Sequence, residues 1–260
     1  MHVLQLHMPG IIRTYLLPQL VDAAALSGGV AIIIDQLRAS TTICAALASG
    51  AAGVVPCLTP DDATKLKSAA LPGTVLTGGE REGVLIPGFD LDNSPATYTS
   101  ARVGGKTIAF TTTNGTKAAV LARHGEAMVI GCLGNLDAVT RYLGADERPI
   151  HIICAGTRDR VSKEDVGAAG ALAEMLAALG RPTNLPDARP DDDSTLLAIN
   201  LWRTASEQPG GVLKLMQTSR GGRNLTRENL TRDIELCARI NAYPVVPVFN
   251  VVSGAFTLAG

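Results

Sequence analysis

Residues 30–42 read Val30-Ala31-Ile32-Ile33-Ile34-Asp35-Gln36-Leu37-Arg38-Ala39-Ser40-Thr41-Thr42. The five apolar residues carry no polar alternation, which is the pattern of a strand covered on both faces. Charge arrives at Asp35, and a helical stretch over 41–49 follows the polar turn. Strand, turn, helix is the repeating unit of a parallel α/β sheet. Outward from this stretch the unit recurs. Strands are predicted over 54–57, 74–76, 107–111, 128–130 and 150–154, with helices over 60–70, 115–123, 136–143 and 164–179. Residues 180–190 (GRPTNLPDARP) hold three prolines and read as a linker or surface excursion. Helices over 192–204 and 226–239 and a closing strand over 244–252 complete the chain. The expected fold is a three-layer α/β/α domain with a largely parallel sheet, spanning 1–260. The recurring unit also admits two related halves, about 1–125 and 126–260.

Composition narrows the function classes. Aromatic residues make up only 3% of the chain against 46% hydrophobic, so an aliphatic core is expected. The formal net charge of −1 supplies no field for nucleic acid or an anionic membrane. Five cysteines, at 44, 57, 132, 154 and 237, form no CxxC pair and read as buried thiols of a reducing cytoplasm. Cys154, at a strand end, is the candidate reactive thiol among them. The four histidines lack HxxxH spacing, which argues against zinc. No apolar run approaches the ~18 residues that span a bilayer. A soluble cytoplasmic protein is expected, with neither nucleic acid nor membrane as partner, and with homodimer formation as one outcome for an Ala/Val-rich α/β chain.

Open α/β sheets bind ligands beyond the carboxyl ends of their strands, and four clusters fall there. Asp35, Arg38, Ser40 and Thr41 follow the first strand. A carboxylate ending an apolar run needs a cation or a partner, and a guanidinium fork suits phosphate. The plain alternative pairs Asp35 with Arg38 and makes Ser40 an N-cap. Gly78-Gly79-Glu80-Arg81 and then Gly88–Pro95 follow, offering Glu80, Arg81, Asp90, Asn93 and Ser94, with Asp92 read as an Asx turn. Thr111-Thr112-Thr113-Asn114-Gly115-Thr116 carries more hydroxyls than a helix cap needs and suits an anion. Ser162 to Asp165 reads S-x-x-D, a capping box, although Glu164 or Asp165 could also face the site. Ser219–Asn224 places two arginines around Gly-Gly, a lid or a basic surface loop.

Phosphoryl transfer requires hard-cation ligands, fixed donors for equatorial oxygens and an oriented nucleophile. On that reading Asp35, Glu80, Asp90 and Glu164 are the candidate Mg²⁺ ligands, and Asp35, Arg38 and Glu80 the catalytic candidates. Arg38, Ser40, Thr41, Arg81, Asn93, Ser94, Thr112, Thr113, Asn114, Gly115 and Thr116 are the candidates for holding a small anionic phosphorylated substrate.

In these stretches the chain resembles the 2-phosphosulfolactate phosphatase family: DQLRASTT from Asp35, GGER from Gly78, GFDLDNSP from Gly88, TTTNGT from Thr111, and CAG…SKEDV from Cys154 to Val166. The resemblance covers most of the chain. It implies Mg²⁺-dependent hydrolysis of 2-phosphosulfolactate to sulfolactate and phosphate, a step towards coenzyme M. Two alternatives stay open: a phosphatase for another phosphorylated hydroxy acid, and a non-catalytic anion binder whose carboxylates brace loops. Direct attack by water and a phospho-Asp35 intermediate are likewise both open. A nicotinamide dehydrogenase lacks its glycine fingerprint here.

Overall fold

The all-apolar run becomes β2 (Val30–Ile34), buried along its whole length and hydrogen-bonded in parallel between β7 (Ala127–Gly131) and β8 (Ile150–Cys154). The computed structural model describes residues 11–179 and 193–260, so the stretch 180–190 lies outside the described residues. The remaining strands are β1 (Ile12–Tyr15), β3 (Gly53–Pro56), β4 (Val75–Arg81), β5 (Val84–Leu85), β6 (Thr107–Thr111), β9 (Pro247–Asn250) and β10 (Ala255–Leu258). They form one sheet in the order β1-β8-β2-β7-β9-β10-β3-β6-β4-β5. Two parallel blocks, β1-β8-β2-β7 and β3-β6-β4, are joined by the antiparallel hairpin β9–β10. Strands from both sides of residue 125 interleave in this sheet, β2 lying between β7 and β8.

Period-2 side-chain alternation sends β2 into both cores. Val30, Ile32 and Ile34 pack with Ile150, Ile152 and Val129 beneath α5 (Leu136–Leu143), α6 (Lys163–Ala178) and α7 (Asp193–Ser206). Ala31 and Ile33 face the opposite core, with α1 (Ala39–Ala48) and α4 (Gly115–Ala122). Each fully buried isoleucine contributes roughly 1.5–3 kcal/mol, so β2 is stable only with helices on both sides. Elsewhere α2 (Pro60–Ala69) starts where its sequence dictates: Thr59 and Asp62 form a reciprocal capping box, with Pro60 in the first turn. A short α3 (Ser100–Val103) leads into β6.

Four expectations about elements change. The strand expected over 74–76 continues as β4 through Gly78 and Gly79. At Gly79 a Cβ would lie 1.9 Å from Thr111 O, so only glycine lets β4 run this close to β6. The helix expected over 226–239 is two, α9 (Arg220–Arg227) and α10 (Thr231–Cys237), broken by Asn229 at φ +59°. Before them stands α8 (Gly211–Gln217), absent from the sequence reading. The closing strand is one arm of the β9–β10 hairpin. Among the described residues no helix is long and apolar enough to cross a membrane.

Candidate active site

The carboxyl ends of β2, β4 and β6 and the helices that follow them surround a cavity of about 170 Å³. Asp35, Arg38, Glu80, Asn93, Thr113 and Asn114 line it, as do Thr157, Arg158, Gly221, Asn224, Arg227 and Glu228 from the second half of the chain. Asp35 is held at its backbone, where its N–H donates to Ser40 Oγ at 2.8 Å, and α1 begins directly above it. Its side chain takes a weak bond from Ala39 N–H (3.4 Å). Gly115 passes so close that a Cβ there would lie 2.9 Å from Asp35 Oδ2. Glu80 is fixed at both oxygens, accepting from Thr113 N–H at 2.8 Å and from Gly83 N–H at 2.6 Å.

Glu164 and Asp165 extend this acidic group behind the wall. Glu164 Oε1 accepts from Gly221 N–H at 2.9 Å, and a Cβ at Gly221 would lie 2.1 Å from it. The Ser219 hydroxyl donates to Met216 O, and Glu164 Oε2 is buried without a hydrogen-bond partner. Burial raises the Glu164 carboxyl above its ordinary range. Asp165 was expected to close a capping box with Ser162. Instead its two oxygens accept from Gln36 N–H (2.8 Å) and Gly156 N–H (2.9 Å), tying α6 to the ends of β2 and β8. Ser162 Oγ meets Thr157 Oγ1 instead. The Asp35 carboxyl is pushed up to about 7, first by burial and next by the charge of Glu80, with Glu164 adding to it.

Cationic partners are mostly committed. Arg38 is buried, donating to Asp233 Oδ2 at 2.6 Å and to Gly83 O at 2.7 Å. Asp233 also accepts from Ser94 Oγ at 2.6 Å. Asp233 had no signature in the sequence, because nothing in its helical spacing links it to a residue 195 positions away. The plain alternative, Asp35 paired with Arg38, gives way to this pairing.

The other sequence candidates divide. Ser40 and Thr41 are buried in local bonding, Thr41 Oγ1 donating to Gln36 O. Arg81 turns from the cavity to Glu80 O and Thr111 Oγ1. Thr112 and Gly115 border a second, small cavity of about 20 Å³ on the other side of Asp35. Thr116 lies in the first turn of α4. Asp90 is a correction: Lys67 holds both its oxygens at 2.7 Å and Thr77 donates to one, so it does not face the site. Cys154 is corrected too, because it is fully buried and burial holds its thiol well above the ordinary value. Glu82, Arg227 and Glu228 line the cavity without having stood out, since loop and helix charges look alike in sequence, and the apolar Leu225 lies among them.

Whether these residues suit a hard divalent cation is decided by their donors. Asp35, Glu80 and Glu164 supply only oxygens, and one of those oxygens is a buried orphan. Among the described residues no three His, Cys, Asp or Glu side chains are gathered at metal-ligand spacing. Mg²⁺ takes one or two carboxylates and keeps several waters, so the set fits that ion without a closed cage. Two more buried orphans, Asn93 Oδ1 and Thr113 Oγ1, belong to cavity-lining residues.

Fold and cavity together define a three-layer α/β protein with an acidic, polar site across its strand ends. Comparison with known families gives the particular one: the 2-phosphosulpholactate phosphatase model matches residues 15–251, and the chain belongs to that family. A relative from Symbiobacterium thermophilum, named "Probable 2-phosphosulfolactate phosphatase", is 43% identical over 88% of this chain and 94% of its own length. Proteins of the same name from Deinococcus radiodurans and Caldanaerobacter subterraneus subsp. tengcongensis are 38% and 35% identical. They cover 89% and 83% of this chain, and 94% and 86% of their own lengths.

Proposed function

We propose that the chain is a phosphomonoester hydrolase that converts 2-phosphosulfolactate to sulfolactate and phosphate with the help of Mg²⁺. The observation that carries this reading is the unsettled polarity at one place. Asp35, Glu80 and Glu164 are buried close enough for like charges to raise Asp35, while polar atoms of Glu164, Asn93 and Thr113 lack partners. Buried polar groups are normally satisfied, and a cation with a polyoxygen guest would satisfy these.

Asp35 and Glu80 would hold the cation, directly or through water, with Glu164 behind them reaching it only through water. When bound, Mg²⁺ offsets the charge of the phosphoryl oxygens. Glu80 is locked by two backbone N–H donors and needs no reorganisation to present its remaining lone pairs. Thr113 Oγ1 and the guanidinium donors of Arg38 not used by Asp233 and Gly83 O would bind the equatorial phosphoryl oxygens. The rigid placement of Arg38 by Asp233 fixes where those oxygens lie. Attack by water is preferred over attack by Asp35, which is placed as a cation ligand and lacks the Asp-x-Asp partner of aspartate phosphatases, Leu37 holding the second position. One turnover in ¹⁸O-labelled water tests this: label appears in phosphate alone for direct attack, and in the Asp35 carboxylate otherwise.

The reading as a whole is tested by phosphate release from 2-phosphosulfolactate with Mg²⁺ and with chelator. Release in Mg²⁺ only, falling roughly 10²–10⁴-fold in Asp35→Asn, supports it. Release unaffected by both changes overturns it. Five buried free thiols agree with a cytoplasmic location.

A further inference from the structure

Two charged residues face each other across the cavity mouth from distant parts of the chain, both at left-handed backbone positions. Glu82 (φ +56°) stands at the tip of the β4–β5 hairpin, and Arg158 (φ +52°) in the turn after β8. Non-glycine residues rarely occupy that region, and turns that hold them there are braced by their surroundings. The Arg158 turn is so braced. Arg158 N–H donates to Asn114 Oδ1 at 3.0 Å, Thr157 N–H donates to Arg160 O at 2.9 Å, and Gln19 holds Asp159 at 2.8 Å. The guanidinium itself is loosely engaged. Its ion pair with Glu82 spans 3.6 Å, beyond hydrogen-bond length, with the two side chains 62% and 79% exposed. A rigid backbone thus places a loosely engaged cation in the lining of a cavity whose floor is acidic and whose buried arginine is held at that floor by Asp233 and Gly83 O.

A phosphorylated acid brings a second anionic group, which Asp35 and Glu80 would repel unless a cation receives it. We propose that Arg158 determines specificity by exchanging its contact with Glu82 for the substrate's second anionic group, a carboxylate or sulfonate, at the cavity mouth. The proposal rests on reading the cavity as a phosphomonoester site. It makes Glu82 the competitor that weak binders fail to displace.

The test compares 2-phosphosulfolactate, 2-phospholactate and glycerol 2-phosphate, the last with an uncharged tail, on wild type, Arg158→Ala, Arg158→Lys and Glu82→Gln. Arg158→Gly, which suits the left-handed backbone, guards against a folding artefact. The ratio of kcat/KM for 2-phosphosulfolactate over glycerol 2-phosphate is expected to fall about tenfold or more in Arg158→Ala and Arg158→Gly, chiefly through KM. Arg158→Lys retains part of the ratio, and Glu82→Gln raises it. A matching fall for 2-phospholactate identifies the carboxylate as the group received, and its absence identifies the sulfonate. A ratio unchanged in Arg158→Ala and Arg158→Gly overturns the proposal. Calorimetric titration of sulfolactate separates this from the parent reading. If wild type hydrolyses none of the three esters, the phosphatase reading fails. Arg158 is then judged by binding alone: tenfold weaker sulfolactate binding in Arg158→Ala upholds its role, and equal binding removes it.

Discussion

Two buried groups of charge lie side by side, and they are built differently. In the first, Arg38, Asp233 and Ser94 form a closed set in which both Asp233 oxygens have donors at 2.6 Å. In the second, the charges of Glu80 and Glu164 push the Asp35 carboxyl up, and Glu164 Oε2 has no hydrogen-bond partner. The same contrast separates two neighbours on one helix. Asp165 has a backbone N–H on each oxygen, whereas Glu164 has one on a single oxygen. Burying a charge is costly unless it is paired, so the first set is balanced internally, whereas the second carries the unpartnered polarity on which the proposed cation site rests. The strand ends therefore hold a rigid, paired clamp beside an acidic group with an unpartnered oxygen.

Breaking the closed set has the largest expected effect. Asp233→Ala leaves Arg38 buried and unpaired and is expected to cost about 3–5 kcal/mol in urea unfolding. A loss under about 1 kcal/mol would show that water or Glu80 takes over and that the clamp is not closed. The neighbouring acids sharpen the comparison. Asp165→Asn sets an amide NH₂ against a backbone N–H and is expected to cost about 1–3 kcal/mol. Glu164→Gln keeps the Gly221 bond, removes like-charge repulsion and should cost less, while lowering kcat/KM by about 10–100-fold.

Proton linkage gives the next contrast. The folded Asp35 carboxyl, raised to about 7 from 3.8, binds a proton that the unfolded chain has released. Between those values the folded state holds more protons, so this group's contribution to stability falls as pH rises through 7. His151 has the opposite sign: its folded pKa is lowered to about 4, first by burial, so stability falls as pH drops from 6.5 towards 4. Asp35→Asn should remove only the first slope, so that wild type loses more melting temperature than the variant between pH 6 and 8. Parallel curves would contradict this. The smallest effect is expected at Asp90, where Asp90→Asn disturbs a half-exposed pair with Lys67. A cost of about 1 kcal/mol is expected, with the rate of phosphate release unaltered.

The sequence made some of this contrast legible. The apolar run 30–34 could only be a doubly covered strand, and the polar residues after it had to lie at a sheet end. Asp35, Arg38, Glu80, Asn93, Thr113 and Asn114 all follow strands or their turns, and they do line the cavity. What stayed hidden was partnership across the chain. Asp165 matched a capping box because local spacing cannot reveal that Gln36, 129 residues away, offers a better donor. Asp90 resembled a metal ligand because the lysine that claims it is 23 residues upstream. The antiparallel hairpin between the two parallel blocks was equally hidden, since register between distant strands leaves no local period.

The central claim, that the open acidic group is a cation site with a phosphomonoester above it, is tested most directly by melting temperature with and without millimolar Mg²⁺ at pH 8 and pH 5.5. Mg²⁺ should raise the melting temperature at pH 8, raise it less at pH 5.5 where protons compete, and lose its effect in Asp35→Asn. A rise of equal size in wild type and Asp35→Asn, or no rise at either pH, would contradict the account.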